Sequence, residues 1–373
     1  MKKFIVLLAV IAMVGAFTAT AIADVSLYGS ARFRTYYADV DSGDPTISSD
    51  KDLEWRMGTL TRFGANFKGD KVNGKFEMDA RAGGAGVSAD IESSGGASGL
   101  GNMRLRQLWG QYDFGAGKLM IGQNYPLYDA PANGVAYYSG GFQKFGGIGI
   151  TDARTSQLRL TFGNFRLAFL QCDTTNGSPS ASYNDVDITF PKVEARYDMK
   201  LDAFALNFIG GYQNYEIEDT ATSNSENITS WALGARGKAN FGPAYAGLAL
   251  TWRQNGDNYG AWTVSTKETA TFQNNDLKDA TAWGLVATLG WKINDMFTLE
   301  GSYASLSSSQ DTDLDNEDDA SVWGIIAKID VAPGVRIQPE LIFQDNKDVK
   351  NDAVNTDQGD ATIFGVWWMI SFK

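Results

Sequence analysis

The chain has no histidine in its 373 residues, one cysteine and only 8 prolines. Without histidine, Ser-His-Asp triads, Cys-His pairs and most zinc sites are out of reach. Cys172 alone cannot close an intrachain disulfide, so no covalent staple holds the fold; it stands at a predicted strand end as a small packing residue. No phosphate-cradling glycine motif lies between a strand and a helix, because Gly140-Gly141 and Gly146-Gly147 sit in an aromatic stretch. Basic excess is missing as well: the formal net charge of -12 argues against a nucleic-acid partner. These absences leave no catalytic residue, cofactor-binding residue or metal ligand to nominate, and the chain is expected to need no cofactor and to perform no chemistry.

Long apolar runs are lacking beyond the N-terminus. There Lys2 and Lys3 precede an apolar run from Phe4 to Phe17, shorter than the ~20 residues that a spanning helix needs. Small residues then lead to Ala21-Ile22-Ala23, the cleavage pattern of a secretory signal peptide over residues 1–23. If the remaining chain, 24–373, crosses a membrane, it does so with strands.

What is present is a turn-rich, aromatic β chain, with 41 glycines and 12% aromatic residues. Sixteen strand-like segments are separated by connections that alternate short and long. The tight ones are Gly69–Gly74, Gly115–Gly117, Gly163–Asn164, Lys200–Asp202, Gly242–Pro243, Asn294–Asp295 and Pro333–Gly334. The long ones are Tyr37–Arg56, Ala85–Asn102, Asn124–Asp152, Asp173–Thr189, Tyr215–Ile228, Gln254–Asp279, Ser308–Ala320 and Asp345–Asp360. A soluble β-sandwich has no reason to gather its long loops at one end. An even-stranded antiparallel barrel in an outer membrane does so, with turns at one rim and loops at the other. The fold class predicted is therefore all-β, a 16-stranded antiparallel transmembrane β-barrel, wide enough at that strand number to enclose water.

The period-2 pattern separates a lipid face from a lumen face. Leu27, Gly29, Ala31 and Phe33 oppose Tyr28, Ser30, Arg32 and Arg34. Phe76, Met78, Ala80 and Ala82 oppose Lys75, Glu77, Asp79 and Arg81; Leu158, Leu160 and Phe162 oppose Gln157, Arg159 and Thr161. Val193, Ala195 and Tyr197 oppose Lys192, Glu194 and Arg196, and Trp231, Leu233, Ala235 and Phe241 oppose Arg236, Lys238 and Asn240. Trp283, Leu285, Ala287, Leu289 and Trp291 form an apolar face with tryptophan at each end. At ~3.3 Å per residue the two tryptophans span about the ~25 Å apolar band of such barrels, where aromatic girdles belong. The final strand puts Phe364, Val366, Trp368, Ile370 and Phe372 on one face. The phase breaks in Met103–Phe114, where Arg104 and Arg106 fall in step with Leu108 and Tyr112. Either the arginines sit beyond the membrane band or a bulge shifts the register, and both readings stand at this point.

The chain resembles the general bacterial porins. The residues that carry the likeness are Val25-Ser26-Leu27-Tyr28-Gly29, Thr61-Arg62-Phe63-Gly64-Ala65-Asn66-Phe67-Lys68-Gly69, and above all Arg106-Gln107-Leu108-Trp109-Gly110-Gln111-Tyr112-Asp113-Phe114-Gly115. The last stretch runs into Gly117-Lys118-Leu119-Met120-Ile121-Gly122-Gln123-Asn124-Tyr125-Pro126. The resemblance implies a homotrimeric diffusion channel in the outer membrane of a Gram-negative bacterium, among outer-membrane lipids and lipopolysaccharide. It implies a third loop folded inward as a constriction, and a Gly- and Ser-rich second loop, Gly86–Asn102, that latches a neighbouring subunit. It also implies a final aromatic strand that serves as an assembly signal, although Lys373 follows Phe372 where the family usually ends on an aromatic residue. The solutes implied are ions and small hydrophilic molecules.

With that implication, the pore-lining candidates are Arg32, Arg34, Arg62, Arg81 and Arg159 on lumen faces near the third loop, together with Tyr128, Asp129 and Lys144 within it. The family's third loop usually carries several acids; here Asp129 stands alone before Asp152, and Tyr125, Tyr128, Tyr137, Tyr138, Phe142 and Phe145 dominate. Most of those aromatics are expected to pack the loop against the wall, because aromatic burial is favourable by a few kcal/mol. A ring of arginines favours anions, but Glu77 and Asp79 share the same face, so anion preference and weak or cation preference both remain open. Asp311–Asp319 resembles the start of a calcium loop, yet Asn316 and Val322 stand where glycine and a bidentate glutamate are needed. A solvated acidic loop, bridged by divalent cations to surface lipid phosphates, is the better reading. Two other functions remain alternatives: a substrate-specific channel with a solute-binding lining, and a non-conducting adhesin or receptor barrel.

Overall fold

A chain that faces lipid on one side and water on the other must pair every backbone amide with another strand, and only closure removes the last unpaired edges. The computed structural model describes residues 24–41, 50–58, 61–80, 103–128, 142–145, 154–174, 185–219, 224–265, 267–273, 276–312, 316–347, 349–350 and 357–373. The expected signal peptide at 1–23, Arg81, Gly86–Asn102 and Asp129 lie outside the described residues.

The described residues build sixteen antiparallel barrel strands. In chain order they are Asp24–Val40; Asp50–Met57 continued by Arg62–Lys68; Val72–Ala80; Met103–Asp113; Lys118–Asn124; Thr155–Phe162; Phe165–Leu170; and Asp185–Asp187 continued by Lys192–Leu201. Then follow Phe204–Asp219, Asn224–Phe241, Ala244–Gln254, Ala280–Lys292, Phe297–Gln310, Asn316–Ala332, Val335–Asp345 and Asp360–Phe372. The second and eighth strands are each one strand in two pieces, because the first strand pairs with both halves of the second and the ninth with both halves of the eighth. The barrel closes where the first strand meets the last, from Gly29 opposite Phe372 to Val40 opposite Ala361. Outside this sheet lie a one-turn helix, Phe142–Phe145, and a small hairpin, Thr271–Gln273 with Asp276–Lys278. Among the described residues no helix is long and apolar enough to cross a membrane.

The expected faces are realised. Leu27, Leu233, Trp283, Leu289, Trp291, Phe364, Trp368 and Ile370 are exposed on the outer surface, while Ser30, Arg32, Arg34, Glu77, Asp79 and Glu194 are buried within. All seven tight connections fall where they were expected. Four long connections are shorter than the sequence suggested, the one expected over Asp173–Thr189 because the eighth strand already begins at Asp185. The first strand still pairs at Tyr37 with Leu53 and at Val40 with Asp50. The ninth and tenth strands continue to Asp219 and Asn224, and the thirteenth and fourteenth to Gln310 and Asn316. Lipid-face alternation fades where the membrane ends, but backbone pairing does not depend on it and carries the hairpins further out.

The phase break in the fourth strand is a bulge. Met78 pairs with Leu105 and Glu77 with Gln107, so Arg106 is the extra residue. A bulge lets two neighbouring side chains oppose one partner, and both Arg106 and Gln107 turn inward, buried.

Candidate pore lining

The bulge assembles a charged cluster on the inner wall of the first four strands. Arg106, fully buried, donates from Nε to Glu77 Oε1 at 2.7 Å, from Nη1 to Asp79 Oδ2 at 3.2 Å and from Nη2 to the Tyr125 hydroxyl at 2.6 Å. Glu77 also accepts from the Tyr28 hydroxyl at 2.8 Å and lies 3.5 Å from Arg62 and 3.7 Å from Lys75. Arg104 reaches Asp79 at 3.0 Å. Two carboxylates thus serve four cations. Paired charges inside a barrel stiffen the wall, because separating them leaves a desolvated ion behind.

The remaining candidates fall at separate places. Arg32 donates from Nε to the Ser30 hydroxyl at 3.2 Å and lies 5.9 Å from the centroid of the inward-facing Trp367 ring. Arg34 is buried on the same face, one alternation further out. Arg159 binds the Gln157 side chain at 2.7 Å and the Tyr125 carbonyl at the start of the third loop. Lys144 lies on the one-turn helix, where burial lowers its pKa.

Among the described residues of the third loop, the fully buried aromatics Tyr128 and Phe142 seat it on two different parts of the wall. Tyr128 clusters with Ile209, Ala232, Tyr259 and Ala261. Phe142 clusters with Tyr36, Ala249, Val286, Ala304, Val322, Ile326, Ile342, Ile363 and Trp367, and its helix touches the twelfth, thirteenth and fourteenth strands. This accounts for a feature the alternation left unread. The later strands are apolar on both faces, as in Val322-Trp323-Gly324-Ile325-Ile326, since their inner face packs against loop side chains instead of water.

A second constellation escaped sequence reasoning. Glu194, fully buried on the eighth strand, accepts through Oε2 from the backbone amides of Leu127 (2.6 Å) and Tyr128 (3.0 Å), and through Oε1 from the Tyr259 hydroxyl (2.8 Å). Lys192 donates to the Tyr259 carbonyl at 2.6 Å and lies 3.5 Å from the Tyr259 ring centroid, a desolvated cation–π contact. Tyr128 meets Tyr259 edge to face, with ring centroids 5.6 Å apart. Burial first, and then the Glu194 carboxylate, raise the Tyr259 phenol well above its ordinary pKa. The one signal in the sequence was Gly210-Gly211 inside the ninth strand: a Cβ at Gly211 would fall on the Tyr259 hydroxyl, and glycine within a strand often marks such a close approach.

Further along the inner face of the sixth to tenth strands, Arg166 and Arg196 (2.8 Å) both pair with Asp198. Arg236 donates to Asn207 at 2.9 Å, and Lys238 lies over the Tyr245 ring at 4.6 Å. The thirteenth and fourteenth strands answer with one balanced pair, Lys328 and Glu300 at 2.8 Å.

Comparison with known proteins places this geometry. A family model described as Gram-negative porin matches residues 8–349. No curated protein matches the chain. Among solved structures, the outer membrane channel DcaP of Acinetobacter baumannii superposes with a TM-score of 0.68 at 16% identity, covering 94% of this chain and 97% of that one. The trimer form of the in-vitro folded outer membrane protein OmpT of Vibrio cholerae gives 0.60 at 16% identity over 94% and 99%. An anion-selective porin from Comamonas acidovorans gives 0.59 at 15% identity over 94% and 99%. At such identities these likenesses speak to the fold alone.

Proposed function

The chain belongs to the Gram-negative porin family, and from that premise we propose that its channel prefers anions and is narrowed by the third loop folded into the lumen. As a porin it forms an outer-membrane channel through which ions and small hydrophilic solutes diffuse passively. The observation that carries the preference is the charge of the inner wall between the sixth and tenth strands. There Arg166 and Arg196 share the single acid Asp198, Arg159, Arg236 and Lys238 bind uncharged partners, and Glu194 is committed to the two loops it holds. In a narrow, low-dielectric passage such an excess concentrates anions and repels cations. The bulge cluster adds four cations to two acids.

The inward course of the third loop is supported at two points, Tyr128 held by Glu194 and Phe142 seated on the far wall. The assembly proposed is a homotrimer among outer-membrane lipids and lipopolysaccharide, a reading supported by the trimer form of the Vibrio cholerae protein. The mechanism is size exclusion biased by wall charge, with no chemical step.

The test is the reversal potential of purified protein in a planar bilayer under a potassium chloride gradient. A potential on the chloride side supports anion preference, and one on the potassium side overturns it. Conductance steps in threes support the trimer. No conductance from folded, heat-modifiable protein overturns the channel itself in favour of the receptor barrel.

A further inference from the structure

The connection between the eleventh and twelfth strands reads as an outer loop, polar and glycine-containing, but its described residues from Asn255 to Ala270 pack against the inner wall. Asn255, Asn258, Tyr259, Ala261, Glu268 and Ala270 are all buried to within 1%. It is tied to the wall on both sides. On one side Asn258 and Tyr259 engage the eighth and ninth strands: Gln213 Nε2 donates to the Asn258 carbonyl at 2.9 Å, Asn258 Nδ2 donates to the Tyr215 hydroxyl at 3.1 Å, and Tyr259 joins Lys192 and Glu194. On the other side Ser265 contacts the Ser308 hydroxyl and donates to Asp318 at 3.1 Å, and Gln310 donates to the Thr269 carbonyl at 2.9 Å. Between these ends Glu268 returns to the eleventh strand. There it accepts from Arg253 Nε at 2.9 Å and Nη2 at 2.7 Å, and from the Thr263 hydroxyl at 2.6 Å. The loop is therefore a chord that runs from the eighth strand to the fourteenth. Gly260, at φ +81° and against Asp173, permits the turn that starts it.

The two loops touch through the Tyr128 and Tyr259 rings and share one wall residue. The Glu194 carboxylate that holds Leu127 and Tyr128 of the third loop also holds Tyr259 of this one, and Val264 packs on the cluster that seats Phe142. We infer that residues 255–265 and 267–270 of this connection form the solute-limiting section of the pore jointly with the Leu127–Tyr128 segment of the third loop, and that Glu194 is the positioning residue that sets the gap between them. This rests on the channel reading above. A chord that occupies lumen cross-section removes it from the conducting path, so loosening it widens the pore while the barrel stays closed.

The experiment compares wild type with Tyr259→Ala in the full chain, by single-channel conductance and by liposome swelling with sugars of increasing size. Tyr259→Ala is expected to raise conductance by about twofold and to admit larger sugars, as a wider lining radius requires. A conducting wild type with a folded, heat-modifiable variant of unchanged conductance and sugar cut-off overturns the inference. A wild type that does not conduct overturns the channel reading instead. Should Tyr259→Ala fail to fold, loop position is read directly by Ser265→Cys with Ser308→Cys in a Cys172→Ser background. Oxidant-dependent loss of both thiols in the folded barrel supports the chord, and persistence of both thiols overturns it.

Discussion

Glu194 and Tyr259 are joined by a 2.8 Å hydrogen bond across 65 residues of sequence, from the wall of the eighth strand to a loop anchored between the eleventh and twelfth. The same carboxylate holds two backbone amides of the third loop. One buried acid therefore connects the two loops.

Replacing that acid disconnects them. In Glu194→Ala the amides of Leu127 and Tyr128 lose their acceptor, and a buried unsatisfied donor costs about 1–3 kcal/mol. The strand pairing of the barrel is untouched, so the protein is expected to fold while its open-channel current becomes several-fold noisier. Wild-type noise in the variant would count against Glu194 as the joint.

The Arg253–Glu268 pair, with both side chains at 0% exposure, anchors the connection between the eleventh and twelfth strands. Removing one partner leaves an uncompensated buried charge, at a cost of roughly 3–5 kcal/mol. Glu268→Leu alone should lower the thermal unfolding midpoint in detergent. Adding Arg253→Leu should recover much of the loss, since two apolar groups strand no ion. A double variant less stable than the single one would refute that account.

Alkaline pH offers a second handle on the same loop. The Tyr259 phenol is raised well above its ordinary value of 10.0 by burial and by Glu194. A raised folded-state pKa means that the contribution is fully present below pH 10.0 and is lost as pH rises through the higher folded value. Loop-dependent stability should therefore hold to pH 10 and decline above it, with a smaller decline in Tyr259→Phe. Equal alkaline profiles for the two proteins would exclude Tyr259 as the source.

Selectivity should follow the basic wall. Reversing Arg166 and Arg196 with Arg166→Glu and Arg196→Glu turns a cationic stretch beside Asp198 into an acidic one. The reversal potential is expected to move towards potassium, most strongly at low salt, because screening at ~1 M shortens the Debye length to about 3 Å. A reversal potential that ignores both changes would place the selective section elsewhere.

Membrane position is set by the outer face of the twelfth strand. Ala287 lies midway between Trp283 and Trp291, both exposed. Arginine at the bilayer midplane costs about 2–4 kcal/mol and near the interface about 0–1. Ala287→Arg should therefore destabilise the barrel in lipid far more than Trp291→Arg does, by urea unfolding in vesicles. Equal effects would mean that the tryptophans do not mark the interfaces.

What the sequence determined by itself was the barrel: strand number, order, turn positions and which side chains face lipid. Those follow from period-2 alternation and from turn residues, both local, because lipid and water lie on opposite sides of every strand. It also put Arg32, Arg34, Arg159, Arg196, Arg236 and Lys238 on the face opposite the apolar one, and left Arg104 and Arg106 open. Tertiary structure alone decided how those cations are used. The bulge at Arg106 depends on the partner strand, since only pairing with Glu77 and Met78 reveals the extra residue. The inward seat of Asn258, Tyr259 and Ser265 depends on Lys192, Glu194, Gln213, Ser308 and Asp318, more than 40 residues from their partners in each case. A polar, glycine-containing segment carries the same local signal whether water or a ring of wall side chains satisfies its hydrogen bonds. That choice belongs to the closed barrel, where the wall supplies the partners.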